Sequence, residues 1–195
     1  MIRPARPEDI PEIHELICEL ADYEMEPGAV RATPTDLERA LFGDNPQVFC
    51  HVAETPRGGH QHGARRGEHV SPTDNAAKDN AAKDNAAGTG PALDGFALWF
   101  ISYSTWEGVH GIHLEDIFVR ENRRGRGIGG DLLRALARVA HERGYARIEW
   151  SVLKWNKRAI GFYEHIGAEV QDDWDTYRLT GHELKAFARS ADAAF

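Results

Sequence analysis

Glycines and arginines are concentrated between a hydrophobic run and an amphipathic stretch of the chain. The segment consists of Arg123, Arg124, Gly125, Arg126, Gly127, Ile128, Gly129 and Gly130. Closely spaced glycines let backbone N–H groups converge on one point, and a helix that begins there adds the positive end of its dipole. The arginines add fixed positive charge. This pattern is typical of a loop that binds a phosphorylated ligand.

Residues that can exchange protons lie on both sides of this loop. Glu115 and Asp116 precede it, and Tyr163 follows it. A positioned carboxylate can accept a proton and a tyrosine hydroxyl can donate one. By residue type alone, Glu115 is explained equally well as an exposed carboxylate on a strand. Tyr163 is explained equally well as an aromatic side chain that packs in the core. Asp116 is a weaker candidate than Glu115, because neighbouring strand residues face opposite sides of a sheet.

Two known phosphate-binding motifs fit the glycine loop poorly. A P-loop requires Gly-Lys-Ser/Thr at the start of the helix, and neither the lysine nor the hydroxyl is present. Gly125, Gly127 and Gly130 do fit the dinucleotide pattern G-x-G-x-x-G, with Glu149 near the expected ribose-binding position. That pattern occurs two-thirds of the way along the chain, however, and too little sequence follows to build a doubly wound sheet.

The composition is that of an acidic globular protein. The chain has 195 residues, of which 42% are hydrophobic, and we expect one domain spanning residues 1–195. A net charge of -8 argues against general nucleic-acid binding. With no apolar run long enough for a membrane span and no signal peptide, we expect a cytoplasmic protein with no membrane partner. Cys18 and Cys50 predict neither a disulfide framework nor a metal site.

The first part of the chain alternates between predicted strands and helices. Residues 1–6 predict a short strand, and Pro7 opens a helix with apolar side chains at helical spacing. Residues 35–42 predict a second helix, capped by Thr33 or Thr35. A strand at residues 48–54 follows it.

A low-complexity segment interrupts this pattern at about residues 55–93. It contains the repeat Asp-Asn-Ala-Ala-Lys and almost no side chains that could be buried, so we predict a disordered insertion. Because it joins two predicted strands, it resembles an enlarged hairpin loop. His60, His62 and His69 lack carboxylate or thiolate partners at fixed spacing, which disfavours a metal site there.

The remaining elements complete an α/β (α+β) pattern. Strands are predicted at residues 95–103, 112–119, 147–153 and 176–180. Helices are predicted from residue 127 to residue 143, ended by Gly144, from Asn156 to a stop at Gly167, and at the C-terminus. The central two strands are rich in aromatic and β-branched residues, which places them in the middle of the sheet.

The glycine loop and its neighbours resemble a known family. Residues 124–129, Arg-Gly-Arg-Gly-Ile-Gly, match the R/Q-x-x-G-x-G/A pyrophosphate loop of the GCN5-related N-acetyltransferase (GNAT) superfamily. Other segments resemble its diamine (spermidine/spermine) and thialysine N-acetyltransferase branch, in the same order along nearly the whole chain: Tyr23-Glu24, residues 95–97, 103–106, 114–119 and 155–163. The resemblance implies a GNAT fold, in which helices flank a mixed, mostly antiparallel central sheet that is splayed between strands four and five, and it implies a homodimer.

The resemblance also implies roles for individual residues. Acetyl-CoA would be the co-substrate, with Glu115 as proton acceptor and Tyr163 as proton donor to the departing thiolate. The implied cofactor-binding residues are Ile117, Phe118, Val119, Arg124, Gly125, Arg126, Gly127, Ile128, Gly129, Gly130, Asn156, Lys157, Arg158 and Ala159. The implied amine-binding residues are Tyr23, Glu24, Glu115, Glu149, Trp150, Ser151 and Asp175.

Two positions depart from the pattern of the polyamine-acetylating members. Ser104 and Lys154 each stand where those members carry an acidic residue. Both changes remove negative charge from the expected acceptor region. We therefore expect a shorter amine or a thialysine-like amino acid to be a better substrate than a long polycation.

Overall fold

The computed structural model describes residues 1–55 and 92–190. The chain divides into two compact units, Met1–Ser151 and Val152–Phe195, and each is described by itself. The expected single domain stays a prediction. The body of the predicted insertion, with its three histidines, lies outside the described residues.

A five-stranded sheet forms the centre of the first unit. Its strands lie in the order β1-β2-β3-β4-β5, with β1 to β4 antiparallel and β5 parallel to β4. This confirms the predicted mixed, mostly antiparallel sheet. The strands are β1 (Ile2–Pro4), β2 (Val48–Glu54), β3 (Leu93–Ser104), β4 (Val109–Val119) and β5 (Ile148–Glu149).

Three helices cover this sheet, and their apolar positions form the core. They are α1 (Ile10–Tyr23), α2 (Pro34–Phe42) and α3 (Ile128–Glu142). Ile13 and Leu16 of α1 and Leu132 and Leu136 of α3 are fully buried, as expected for amphipathic helices on a sheet. Thr33 caps α2 by accepting a hydrogen bond from the Asp36 N–H at 3.2 Å.

The predicted hairpin at the insertion is confirmed by the pairing of β2 with β3. The two strands are antiparallel neighbours, and the Thr55 N–H donates to the Ala92 carbonyl at 2.9 Å where they approach the insertion. The predicted boundary at residue 93 is wrong, because Leu93 is fully buried and pairs with Glu54. The strand therefore begins two residues earlier than its glycine suggested.

Strand β5 is much shorter than predicted. Only Ile148 and Glu149 pair with β4, opposite Ile112 and His113, whereas residues 147–153 were expected to form a strand. Gly111 allows the approach of this segment, since a Cβ there would lie 3.0 Å from the Arg147 carbonyl oxygen. Beyond Glu149 the chain leaves β4, which is why β-propensity overestimated the strand.

The second unit contains two helices, α4 (Lys157–His165) and α5 (Gly181–Ser190). Asn156 caps α4 as predicted, with its side-chain oxygen accepting from the Ala159 N–H at 3.2 Å. Gly167, at a φ of 87°, ends the same helix as predicted. The predicted strand at residues 176–180 is wrong: those residues form no strand, because β-prone side chains need a hydrogen-bonded neighbour to make one.

Candidate active site

The glycine loop opens α3 in the conformation that the sequence predicted. Gly125 and Gly127 have φ angles of 78° and 81°, a region that side chains with a Cβ rarely adopt. Gly127 is the N-cap of α3 and its carbonyl accepts from the Asp131 N–H at 2.9 Å. The N–H groups of the first helical turn have no acceptor within the helix. The loop therefore offers a backbone cradle for an anion, which fits a pyrophosphate group.

The three arginines beside this cradle have different surroundings. Arg123 forms an ion pair with the buried Asp94 at 3.0 Å. Arg124 donates from Nε to the Val119 carbonyl at 2.8 Å and lies over aromatic rings. Arg126 is exposed. The sequence offered all three as charges for a ligand, whereas the structure uses two of them to hold the loop.

A β-bulge lies in β4 at the residue predicted to accept a proton. Leu98 of β3 pairs with Asp116 and Trp99 pairs with Leu114, so the register skips Glu115. Bulges re-aim side chains and are common beside active sites. The Glu115 side chain is 56% exposed, and its carboxylate lies 3.9 Å from the imidazole of His113. His113 was not among the predicted site residues, and one histidine within a strand gave no signal for it.

Glu24, Glu115 and Asp116 form an acidic cluster in the first unit. Asp116 is partly buried, and this burial raises its pKa from 3.8 to about 6, with the charges of Glu115 and Glu24 adding to the effect. Burial also raises the pKa of Glu24. Predicted Tyr23 and Glu24 thus lie near the predicted strand residues. The sequence underrated Asp116, because simple alternation along a strand does not anticipate a bulge.

The end of β4 beyond His113 has no strand partner on its β5 side within the described residues. Ile117, Phe118 and Val119 pair with β3 on the other side. Because backbone groups of a strand point alternately to its two edges, some N–H and C=O groups here face the splayed edge. An extended ligand arm can form hydrogen bonds with such an edge.

The predicted amine-binding residues on and just after β5 are Glu149, Trp150 and Ser151, and their surroundings differ. Arg147 donates from Nε to the Glu149 carboxylate, so this carboxylate already has a cationic partner. Trp150 is partly buried and Ser151 is exposed. The sequence did contain a signal for the ion pair between Arg147 and Glu149. Residues two positions apart on a strand share a face, so an arginine two residues before a glutamate can pair with it.

The second unit carries the remaining predicted residues. Asn156 is the N-cap of α4, and Lys157, Arg158 and Ala159 form its first turn. Burial raises the pKa of the Tyr163 hydroxyl, which keeps it protonated at neutral pH and available as a donor. The Tyr163 carbonyl accepts from the Ala168 N–H at 3.0 Å, which fixes the end of α4. Asp175 is exposed.

In residues 1–55 and 92–190, no three His, Cys, Asp or Glu side chains are grouped as metal ligands. No helix there is both long and apolar enough to cross a bilayer.

The fold and the glycine loop are those of an acetyltransferase, and comparison with known proteins confirms the class. The model of the acetyltransferase (GNAT) family matches residues 69–168. The chain belongs to this family.

Two proteins similar to this chain are named as acetyltransferases of thialysine and of ornithine. Thialysine N-epsilon-acetyltransferase from Bos taurus is 33% identical, with 96% of each chain covered. L-ornithine N5-acetyltransferase from Arabidopsis thaliana is 34% identical, covering 95% of this chain and 86% of that protein.

Solved structures share the fold. An integron cassette protein from the mobile metagenome of V. cholerae superposes with a TM-score of 0.65 at 22% identity, covering 97% of this chain and 98% of that one. A probable acetyltransferase superposes with a TM-score of 0.63 at 18% identity, covering 92% and 97%. These likenesses support the predicted GNAT fold.

Proposed function

We propose that this enzyme transfers the acetyl group of acetyl-CoA to a primary amine of a short diamine or of a thialysine-like amino acid. The exposed Glu115 carboxylate at the bulge of β4, with Asp116 and Glu24 adding negative charge, is the observation that carries this proposal. An aliphatic amine arrives as ammonium at neutral pH, and three carboxylates provide a binding site for that charge. The thialysine and ornithine acetyltransferases similar to this chain support an acceptor of this class.

The donor side of the reaction uses the glycine loop and the edge of β4. Acetyl-CoA supplies the activated acetyl thioester when it is bound. Backbone N–H groups at the start of α3 hold its pyrophosphate, and the exposed Arg126 adds positive charge. Backbone groups of Ile117 to Val119 hold the pantetheine arm, and one N–H there can stabilise a developing oxyanion. Asn156 and the first turn of α4 complete the predicted cofactor-binding set.

The amine must lose a proton before its nitrogen can attack a thioester. Glu115, at the bulge, accepts this proton directly or through water, and Asp116 forms a coupled carboxylate pair with it. Because the pKa of Asp116 is raised to about 6, its carboxyl changes protonation state close to neutral pH, and with it the charge beside Glu115. Attack is direct, without a covalent enzyme intermediate.

The departing thiolate is protonated by Tyr163 in this scheme. The raised pKa of this partly buried hydroxyl keeps the proton on the oxygen at neutral pH, so Tyr163 is available as a donor when the thiolate departs. The resemblance to the family implies this role for Tyr163, and the helix that carries it has the predicted Asn156 cap.

The surroundings of Ser104 and Lys154 favour a short acceptor. Ser104 is buried, and its hydroxyl accepts from the Glu107 N–H at 3.1 Å, so it serves the β3–β4 turn. Lys154 is exposed and cationic. Neither position supplies the negative charge that would attract a distal ammonium group of a long polyamine. Glu149, paired with Arg147, is likewise partly neutralised.

One experiment tests both the activity and the acceptor class. Release of CoA thiol from acetyl-CoA is followed with thialysine, ornithine, lysine, short diamines, spermidine and spermine. We expect thialysine, ornithine or a short diamine to give the highest kcat/KM. A clear preference for spermine would overturn the acceptor assignment. Binding of acetyl-CoA without thiol release for any amine would instead indicate a non-catalytic CoA-binding protein.

The assembly and the compartment complete this proposal. The resemblance to the diamine and thialysine branch implies a homodimer, and the sequence predicts a cytoplasmic protein. Light scattering at working concentration measures the oligomeric state, and fractionation of the producing cell measures the compartment. A monomeric species with full activity would contradict the dimer.

A further inference from the structure

The side chain of Arg124 is fixed by three contacts within the first unit. Its Nε donates to the Val119 carbonyl at 2.8 Å. Its guanidinium carbon lies 4.4 Å from the centre of the Tyr23 ring and 5.3 Å from that of Phe118. The two rings are 6.4 Å apart and tilted by 55°, so they form a corner in which the cation sits. Cations over aromatic faces are attracted by the ring quadrupole.

This corner lies immediately before the glycines of the loop. Gly125 and Gly127 have positive φ angles, and a Cβ added to either would meet no atom within 4 Å, so no neighbouring group crowds that side of either glycine. The residues with contacts of their own lie at the ends of the loop, where α3 follows it and Arg123 and Arg124 precede it. Arg124 is the anchor adjacent to the first glycine.

Tyr23 joins this anchor to the opposite side of the candidate site. It is the last residue of α1, and Glu24, a member of the acidic cluster, follows it directly. The end of α1 is firmly defined, because Met25 adopts a φ of 64° and the Glu26 N–H donates to the Ala21 carbonyl at 2.9 Å. These are the features of a Schellman motif, which fixes the exit of the chain from the helix. One end of one helix thus touches both the loop and the carboxylates.

We propose that Tyr23 is a positioning residue for the glycine loop, acting through Arg124, and not solely a residue that lines the amine channel. The Tyr23 ring holds the Arg124 guanidinium in place, and this guanidinium is hydrogen-bonded to the end of β4 at Val119. These contacts position the backbone N–H groups of the glycine loop to bind phosphate. The inference rests on the proposed binding of acetyl-CoA. It assigns to Tyr23 an effect on the donor, whereas the family resemblance implies an effect on the amine.

Calorimetric binding of acetyl-CoA in the absence of amine tests this assignment. Tyr23→Leu keeps an apolar side chain but removes the aromatic face, and we expect it to raise the dissociation constant roughly 5-fold. Tyr23→Phe retains the ring and should bind acetyl-CoA more tightly than Tyr23→Leu. Tyr103→Leu is the matched control, because that ring packs edge-on against His110. It should leave acetyl-CoA binding unchanged.

A double-mutant cycle shows whether the effect passes through Arg124. Arg124→Lys keeps the positive charge but loses the flat guanidinium that stacks on a ring. If Tyr23 acts through Arg124, the double variant with Tyr23→Leu should bind acetyl-CoA no more weakly than Arg124→Lys alone. Hydrogen exchange of the unliganded variants should show faster exchange at residues 125–130 than in the wild type. That readout requires neither amine nor turnover.

The outcomes separate this inference from the proposed function. Failure of the wild type to bind acetyl-CoA would overturn the proposed function. An unchanged acetyl-CoA dissociation constant in Tyr23→Leu, with a raised KM for the amine, would overturn only the positioning role. Additive losses in the cycle would also overturn it. If Tyr23→Leu fails to fold, Arg124→Lys alone tests the positioning role. Wild-type affinity for acetyl-CoA together with wild-type hydrogen exchange in that variant would also overturn it.

Discussion

Glu115 is passed over by the pairing of β3 with β4, whereas its neighbour Asp116 is paired with Leu98. In a regular strand these two carboxylates would point to opposite faces. The extra residue of the bulge breaks that alternation, and the charge of Glu115 raises the pKa of Asp116 as the largest effect after burial. The bulge therefore creates a coupled acid pair from two adjacent residues.

The first prediction concerns the pH dependence of catalysis. With saturating acetyl-CoA, kcat/KM for the amine should fall on the acidic side with an apparent pKa of about 6, which belongs to the coupled pair. Glu115→Gln removes the proton acceptor, so it should lower the rate on the order of 10²-fold. The limb that remains should lie at lower pH, because one charge that raises the pKa of Asp116 is lost. Asp116→Asn should remove this limb. An unchanged limb in both variants would contradict the pair.

The second prediction concerns stability at the same residue. The pKa of Asp116 is about 6 in the folded protein against 3.8 in the unfolded chain, so the folded state holds the proton more tightly. The associated stability is present below pH 3.8 and is lost as the pH rises through about 6. Asp116→Asn should therefore raise the free energy of unfolding at pH 7.5 by about 1–3 kcal/mol. Urea denaturation should show this gain shrinking toward pH 4; a gain independent of pH would have another cause.

The third prediction tests Tyr163 as the proton donor. Tyr163→Phe removes only the hydroxyl, and we expect kcat to fall on the order of 10²-fold while the circular dichroism spectrum is preserved. Tyr177→Phe makes the same change at a ring that is 92% exposed in the same unit, and it should leave kcat unchanged. Wild-type turnover in Tyr163→Phe would count decisively against the role.

Much of the fold followed from local patterns in the sequence. The caps at Thr33 and Asn156 and the stop at Gly167 were correct, because each depends on one residue type and the backbone beside it. The failures were long-range. Whether residues 147–153 or 176–180 form strands depends on a neighbour that local propensity does not report.

The candidate site shows the same division. The glycine loop was recognisable because its chemistry requires glycine at positive φ. The raised pKa of Asp116 was not, since it depends on a register shift and on Glu24, which is remote in sequence. The use of Arg124 as an anchor was also hidden, because its partner Tyr23 lies at the end of another helix.

The fourth prediction distinguishes the backbone cradle from ordinary helix capping. Gly127 and Gly144 have φ angles of 81° and 66° and lie at opposite ends of α3. Replacing either with alanine should cost about 1–2 kcal/mol of stability, because both would be strained in the left-handed region. Only Gly127→Ala should also weaken acetyl-CoA binding, since its strain displaces the N–H groups of the first turn. Equal affinities in the two variants, measured by calorimetry, would contradict the cradle.

The fifth prediction concerns the insertion between β2 and β3. The Thr55 N–H donates to the Ala92 carbonyl at 2.9 Å, and the Thr55 hydroxyl donates to the Asp94 carboxylate at 2.8 Å. The hairpin is thus already closed by the residues that flank the insertion. Replacing residues 56–91 with a short Asn-Gly turn suits the antiparallel geometry.

This replacement should leave kcat and both KM values within about 2-fold of wild type, because no predicted site residue lies in the insertion. Shortening this loop about 18-fold should lower its closure entropy cost by about 2.6 kcal/mol, so the melting temperature should stay the same or rise. A matched variant that keeps the length but replaces the segment with a Gly/Ser linker separates length from sequence. Loss of turnover in both variants, with β2 and β3 still correctly paired, would mean that the insertion takes part in the reaction.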